Sequence, residues 1–237
     1  MRPPPSPQVR RPVMMQRWTS LTFLHWRYPA VTLQPLLPPG LRVEECDGAA
    51  WVSLVPFRME GVRLPGLPTV PWLSRFPETN LRTYVVGPAG AGIWFLSLDA
   101  ARLPVVSVAR TAYGLPYQWS SMSLSHTGNQ VSYRSRRRWP DAAGARCDVR
   151  VAWGDRPDDE LGPLDHFLTA RYRLYSVLAG RLVTVPVEHP PWPLRRATLR
   201  GLDEDLTTAA GLPAPSGEPV LHASGGVPVR IGGWHRT

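Results

Sequence analysis

Twenty-eight prolines and 20 glycines run through these 237 residues and cut the apolar sequence into many short runs. Proline removes a backbone donor and glycine weakens any element from within, so long helices are disfavoured. Short apolar runs bounded by turn residues suit a strand-rich fold rather than a helical bundle. At 43% hydrophobic residues the chain can bury a substantial core, and its length suits one large domain or two small ones. No linker divides residues 16–237, so a single domain is expected there; residues 1–15, basic and proline-rich, read as a disordered tail, with Met14 or Met15 as an alternative start.

Strands are expected at 16–26, 41–43, 49–59, 81–86, 93–98, 120–125, 130–135, 147–153, 181–187 and 197–201. Asp47-Gly48 reads as a hairpin turn joining the strands beside it, and 219–223 with 227–231 as a final hairpin. The glycine-rich run 87–92 is also a hairpin turn, because it lacks the Walker lysine and a strand follows it. Helices are expected at 29–37, stopped by Pro38-Pro39-Gly40, and at 203–210 behind Asp203 as N-cap. The strongest helical spacing lies in 164–179, where Leu164, Phe167, Leu168, Tyr172 and Tyr175 share a face and Gly180 stands as the C-terminal cap.

All 27 basic residues are arginine, as a GC-rich source would produce. Whatever the cause, a lysine Schiff base is excluded. The net charge of +9 is spread along the chain, and its densest cluster, 133–139, reads as a solvated strand, so no nucleic-acid partner is expected. Cys46 and Cys147 form no CxxC and indicate neither zinc nor a disulfide framework; free thiols suit a cytoplasmic protein. No apolar run approaches the roughly 20 residues of a membrane span. Asp165-His166 has no third ligand nearby, and Ser120-Ser121 no nucleophile elbow, so no metal, cofactor or hydrolase serine is expected.

The candidate site centres on 105–122, read as strand, turn and strand, with Val105, Val106 and Val108 β-branched and Gly114-Leu115-Pro116 as the turn. Polar and aromatic groups at such a junction can face a shared cavity. Arg110 would clamp a carboxylate, or else pair with Glu78 or Asp99. Tyr117 would act as acid or oxyanion donor, or else pack as a core aromatic; Gln118 would bind a ligand carbonyl from the wall, or else sit on the sheet surface. Glu78 would be a base if burial raises its pKa, or else a loop carboxylate pairing Arg82. Asn80 joins the ligand-binding set, as do His25 and Arg27, which alternation places on one face as an acid–base group and an anion clamp, or else His25 is a satisfied structural histidine. His189 would cap the cavity, or its proline-rich turn would hold Trp192. The apolar loop 61–76 would pack over the pocket or against another subunit, which leaves a homo-oligomer open.

Residues 109–118, ARTAYGLPYQ, resemble the acetoacetate decarboxylase motif of Gly-Arg-Glu followed by Tyr-Pro-Lys-Lys. Blocks at 23–41, 50–68, 76–85 and 189–194 resemble the YqjF-like branch of that superfamily (domain of unknown function 2071). The resemblance spans nearly all of 16–194 and implies a mainly β (α+β) fold: curved antiparallel sheets in a cone or incomplete barrel around a small pocket, with a few peripheral helices. In the decarboxylases the first lysine after the proline forms the Schiff base and the second lowers its pKa. Tyr117 and Gln118 stand at those positions, so the resemblance implies the cavity while its mechanism is lost. Arg110 keeps its counterpart, and Glu78 matches a family pocket glutamate. The expected function is a pocket for a carbonyl or carboxylate compound, worked by lysine-independent acid–base chemistry as in a lyase, hydratase or isomerase. The alternative is a non-catalytic ligand-binding or assembly protein on the same scaffold.

Overall fold

The computed structural model describes residues 8–158 and 160–237. Strand β1 (Met14–Tyr28) leads to helix α1 (Ala30–Leu33), a 3₁₀ turn (Gln34–Leu36) and the short strand β2 (Arg42–Val43). Then come β3 (Ala50–Arg63), α2 (Pro71–Ser74), β4 (Phe76–Gly87), β5 (Gly90–Ala100), α3 (Leu103–Tyr113), β6 (Tyr117–Thr127), β7 (Gln130–Trp139) and β8 (Arg146–Trp153). The chain finishes with α4 (Pro163–Thr169), β9 (Arg173–Leu178), β10 (Arg181–Glu188), β11 (Leu194–Glu204), α5 (Leu206–Ala209), β12 (Val220–Ile231) and β13 (His235–Arg236).

The strands form one curved sheet that closes on itself twice. One ring runs β1, β3, β4, β5, β9, β10, β12 and back to β1. The other leaves β5 through β6, β7, β8 and β11 to β12. The shared wall is therefore buried on both faces. In β3, Trp51, Val55, Phe57 and Met59 face the first ring, whereas Ala50, Val52 and Leu54 face the second. The second ring is filled by Leu24, Trp26, Leu81, Val149 and Val151 among others; the first encloses a cavity.

A bulge keeps β1 facing that cavity along its length. Met14, Gln16 and Trp18 point in at even positions, Leu21 and Phe23 at odd ones. The parity changes at Ser20, whose φ is +52°: the β1–β3 register shifts by one residue between Thr19 and Leu24, while the β1–β12 register holds across it. Gly226 sits at φ +122°, and a Cβ there would lie 2.0 Å from the Trp18 carbonyl oxygen. An inserted residue of this kind reverses which face each later side chain takes.

Several expectations are corrected. Residues 105–113 are helical, not a strand: Pro104 occupies the first turn, where its missing N–H costs nothing, and Gly114 closes the helix at φ +63°. The valines cost a few tenths of a kcal/mol each as helix residues, which end signals and packing overcome. The helix expected at 164–179 stops at Thr169, and β9 takes over. Leu174, Tyr175 and Ser176 are buried between β5 and β10, and Ala179-Gly180, both at positive φ, is the hairpin turn to β10 rather than a cap.

Asp203 lies in β11, and α5 starts behind Asp205, whose carboxylate accepts the Arg146 N–H. Residues 220–231 form one strand rather than a hairpin, because the glycine pair serves the bulge. Asp47-Gly48 turns only the bridge Cys46–Ala49, since β2 pairs with β4. In 133–139 Arg134, Arg136 and Arg138 are exposed, but Arg137 is buried and ion-paired with Asp99. Strand β1 begins at Met14, and Val9 is buried with its N–H donated to Glu188; residues 1–7 of the expected tail lie outside the described residues.

Candidate functional site

Strand alternation builds the polar side of the cavity. Phe76, Glu78, Asn80 and Arg82, spaced by two along β4, all face inward. The cavity holds about 450 Å³, and its walls are apolar: Phe23, Val55, Phe57, Phe95, Val185 and Val187 belong to them. One end lies where β3 finishes and β4 begins. There Pro104, Val105, Val108 and Ala109 of α3, at helical spacing, meet Leu64, Leu67, Val70 and Leu73. The other end is closed by Thr169 at the end of α4, with Arg82, Arg171, His189 and Trp192 around it.

Glu78 is 2% exposed. The Tyr117 hydroxyl donates to its carboxylate, 3.2 Å from each oxygen. Loss of water pushes the Glu78 pKa up to about 8, against hydrogen bonds from Tyr117 and Asn80 that lower it and with the charge of Asp99 adding to the rise. Burial, and then Glu78 itself, pushes Tyr117 well above the usual phenol range. Near neutral pH both groups hold their protons, so the pair presents an acid to the cavity.

Arg82 lies near the closed end. It is buried, its Nη2 is 3.4 Å from the Leu168 carbonyl oxygen, and its Nε has no hydrogen-bond partner among the described residues. No described carboxylate lies within ion-pair distance of it. The pairing with Glu78 weighed from the sequence does not form: four residues apart on one strand places the two Cα atoms about 13 Å from each other. Burial lowers the Arg82 pKa from its ordinary value, yet a guanidinium stays charged. Its neighbour Arg171 is paired with Glu44 and lies over the Tyr84 and Phe167 rings.

Of the residues expected at the site, Glu78, Tyr117 and Asn80 line the cavity together. Arg110, Gln118, His25 and Arg27 do not. Arg110 donates to the Tyr117 carbonyl oxygen at 2.7 Å and stands 3.9 Å from Asp141; it pairs with neither Glu78 nor Asp99. Gln118 follows Tyr117 in the same strand and so takes the opposite face, where its amide exchanges hydrogen bonds with Asp141. Arg27 is exposed, donating to the Asp47 carbonyl oxygen and lying over the Trp51 ring.

His25 is fully buried beyond Phe23, its Nδ1 bonded to Ser53 and Tyr84. Burial, then His222 and Arg82, keeps its pKa well below the usual histidine value, so it is neutral. His222 Nε2 meets Asp165 at 2.8 Å. Among the described residues no group of three metal-ligating side chains forms. His189 and Trp192 both line the cavity, as either reading of HPPWP allows. Arg82 was the residue missed as a binding group, and the period-two run Phe76, Glu78, Asn80, Arg82 is the signal that finds it.

Residues 15–228 match the model of the family DUF2071, described as an uncharacterized conserved protein. The chain is 35% identical over 210 residues to "Uncharacterized protein YqjF" of Bacillus subtilis (strain 168), covering 89% of this chain and 86% of that protein. Its fold is similar to that of an acetoacetate decarboxylase-like enzyme from Sphingomonas wittichii RW1, with a TM-score of 0.66, 14% identity, and 97% and 95% of the two chains covered. It is similar too to acetoacetate decarboxylase from Legionella pneumophila, with a TM-score of 0.67, 12% identity, and 99% and 92% covered. A third similar structure is the enduracididine biosynthesis enzyme MppR complexed with the condensation product of pyruvate and imidazole 4-carboxaldehyde, with a TM-score of 0.67, 16% identity, and 96% and 90% covered. At these identities the solved structures speak for the fold alone, a mainly β acetoacetate decarboxylase-like architecture. The family model and the YqjF likeness each span most of the sequence, and the chain belongs to the DUF2071 family.

Proposed function

We propose that the cavity binds a small carbonyl or carboxylate compound and that Glu78 and Tyr117 move a proton on it without any amine. The observation that carries this reading is a buried carboxyl with no cation within ion-pair distance among the described residues, sharing a hydrogen bond with a buried phenol at the cavity wall. A carboxyl held neutral near pH 7 can protonate a carbonyl oxygen as it is attacked or enolised. In an enolisation Glu78 gives its proton to that oxygen and takes one from the neighbouring carbon, so the pair ends as it began. The absence of lysine, with Tyr117 and Gln118 in the motif positions, is consistent with this and not with a Schiff base.

MppR, similar in fold, was solved with a pyruvate-derived ligand, which supports trying oxo acids first. Residues 64–73, expected to cover a pocket or meet another subunit, contribute five side chains to the cavity, which favours the first use. No helix among the described residues is long and apolar enough to cross a membrane. A cytoplasmic site of action is part of the proposal, resting on the two free cysteines.

A panel of 2-oxo and 3-oxo acids, followed by thermal unfolding and by loss of the oxo acid, tests it. A ligand at 100 times its dissociation constant adds roughly 2.7 kcal/mol, a clear shift in melting. Unchanged melting across the panel overturns the pocket reading. Binding without turnover, unaltered by Glu78→Gln, overturns the chemical one and favours a non-catalytic binding protein.

A further inference from the structure

Arg82 is a buried guanidinium that faces the cavity without a carboxylate partner among the described residues, and its Nε is unpartnered. Its guanidinium lies 5.8 and 6.0 Å from the Phe23 and Tyr84 ring centroids; a charge kept dry with rings beside it but no carboxylate is costly, and arginine does not escape by losing its proton. An anion entering the cavity would remove that cost and accept the free N–H. Of the other guanidiniums that line the cavity, Arg171 has Glu44 already, and Arg63 and Arg173 donate to the Gly61 and Ala91 carbonyl oxygens.

The rest of the cavity asks for something other than charge. A volume of about 450 Å³ far exceeds a four-carbon acid, and such a ligand would leave most of the apolar wall against water. The mouth is apolar as well: Leu64, Leu67 and Val70 are each 55% exposed and Val108 is 58% exposed, although all four line the cavity. Each ligand methylene that covers such surface adds to the affinity. Arg82 and Glu78 are about 13 Å apart at Cα, along the strand that runs from the closed end towards the mouth.

We propose that the cavity takes an elongated amphipathic monocarboxylate, with its carboxylate on Arg82 at the closed end and its apolar chain running past Glu78 and Tyr117 to the mouth. This rests on the pocket reading above and deepens it. It places any proton transfer by Glu78 at a carbon remote from the carboxylate.

Calorimetric titration of the full chain with butyrate, decanoate, methyl decanoate and decanol tests it. Decanoate is expected to bind at least about tenfold more tightly than each of the other three, a difference of about 1.4 kcal/mol. Arg82→Gln is expected to bind decanoate no better than decanol. If that variant fails to fold, the acid, ester and alcohol of equal length on the unaltered chain still decide the matter. Equal affinity for decanoate and decanol removes the Arg82 anchor. Butyrate binding as tightly as decanoate removes the elongated ligand. Binding of short oxo acids with none of decanoate overturns this inference and leaves the pocket reading standing, whereas no binding by any acid ends both.

Discussion

Two carboxylates sit one residue out of register on neighbouring strands, and the protein treats them oppositely. Asp99 pairs across the ladder with Thr79, so it takes the face opposite to Glu78. Asp99 is fully buried and meets Arg137 through both carboxylate oxygens, at 2.9 and 2.7 Å, with the Ser120 hydroxyl donating at 2.7 Å. Glu78 is as dry but receives only a phenol and an amide. A carboxyl stripped of water must find a cation or keep its proton. Asp99 does the first, inside the ring filled with side chains, and holds strands together. Glu78 does the second, beside the cavity, and stays chemically available.

The largest expected effect tests the structural member. Asp99→Ala leaves Arg137 buried and unpaired, and unfolding in urea is expected to show a loss of about 3–5 kcal/mol. Glu78→Gln at about pH 6 replaces a neutral acid by a neutral amide and is expected to shift stability by no more than about 1 kcal/mol. Comparable losses for the two variants would break the contrast.

The next effect lies in the pH dependence. The folded pKa of Glu78, about 8, stands above the ordinary value of 4.5. Between those values the unfolded chain has released the proton and the folded chain has not, so stability falls as pH rises and levels off above the folded pKa. Going from about pH 5 to about pH 8, the native chain should lose about 2–4 kcal/mol more than Glu78→Gln does. Parallel stability curves for the two proteins would show that Glu78 is ionised after all.

Tyr117→Phe sharpens the same point on a smaller scale. The phenol hydrogen bond lowers the Glu78 pKa, so its loss should move any Glu78-dependent step in a pH–rate profile to higher pH and cost about 0.5–1.5 kcal/mol of stability. A shift to lower pH would contradict the assigned hydrogen bond. The smallest effect is expected from a third carboxylate, Asp141, which stands 70% exposed and 3.9 Å from Arg110. Asp141→Asn should change stability by about 1 kcal/mol or less and leave ligand binding untouched. A marked loss of binding would return Arg110 to the site.

Much of the architecture was legible. Alternating apolar residues and turn glycines placed most strands. The misreadings have one kind of cause. Val105–Val108 carry β-branched side chains, but Pro104 and Gly114 bound a helix that packs over the cavity. Residues 170–178 fit a helical face, yet the ring needs a strand between β5 and β10. In both places local preference is worth less than the burial decided by neighbours far away in sequence.

The site divides along the same line. Glu78 and Tyr117 were legible by residue type and by likeness to a known motif. That Arg110 and Gln118 turn away follows from a helix and from strand alternation, once those elements are known. That Arg82 lacks a partner was not legible, since an arginine near a glutamate in sequence invites pairing until a single strand is seen to hold them apart.

By itself the sequence determined the chemistry on offer: a chain of strands, no amine nucleophile, a tyrosine in a motif position and a glutamate matching a family pocket residue. Residue identity and short-range periodicity suffice for that, because they are properties of the chain. Only the tertiary structure decided which carboxylate keeps a cation and which keeps a proton. Dielectric and pairing depend on what surrounds a group in space, and there the ring closures bring together residues that the chain holds far apart.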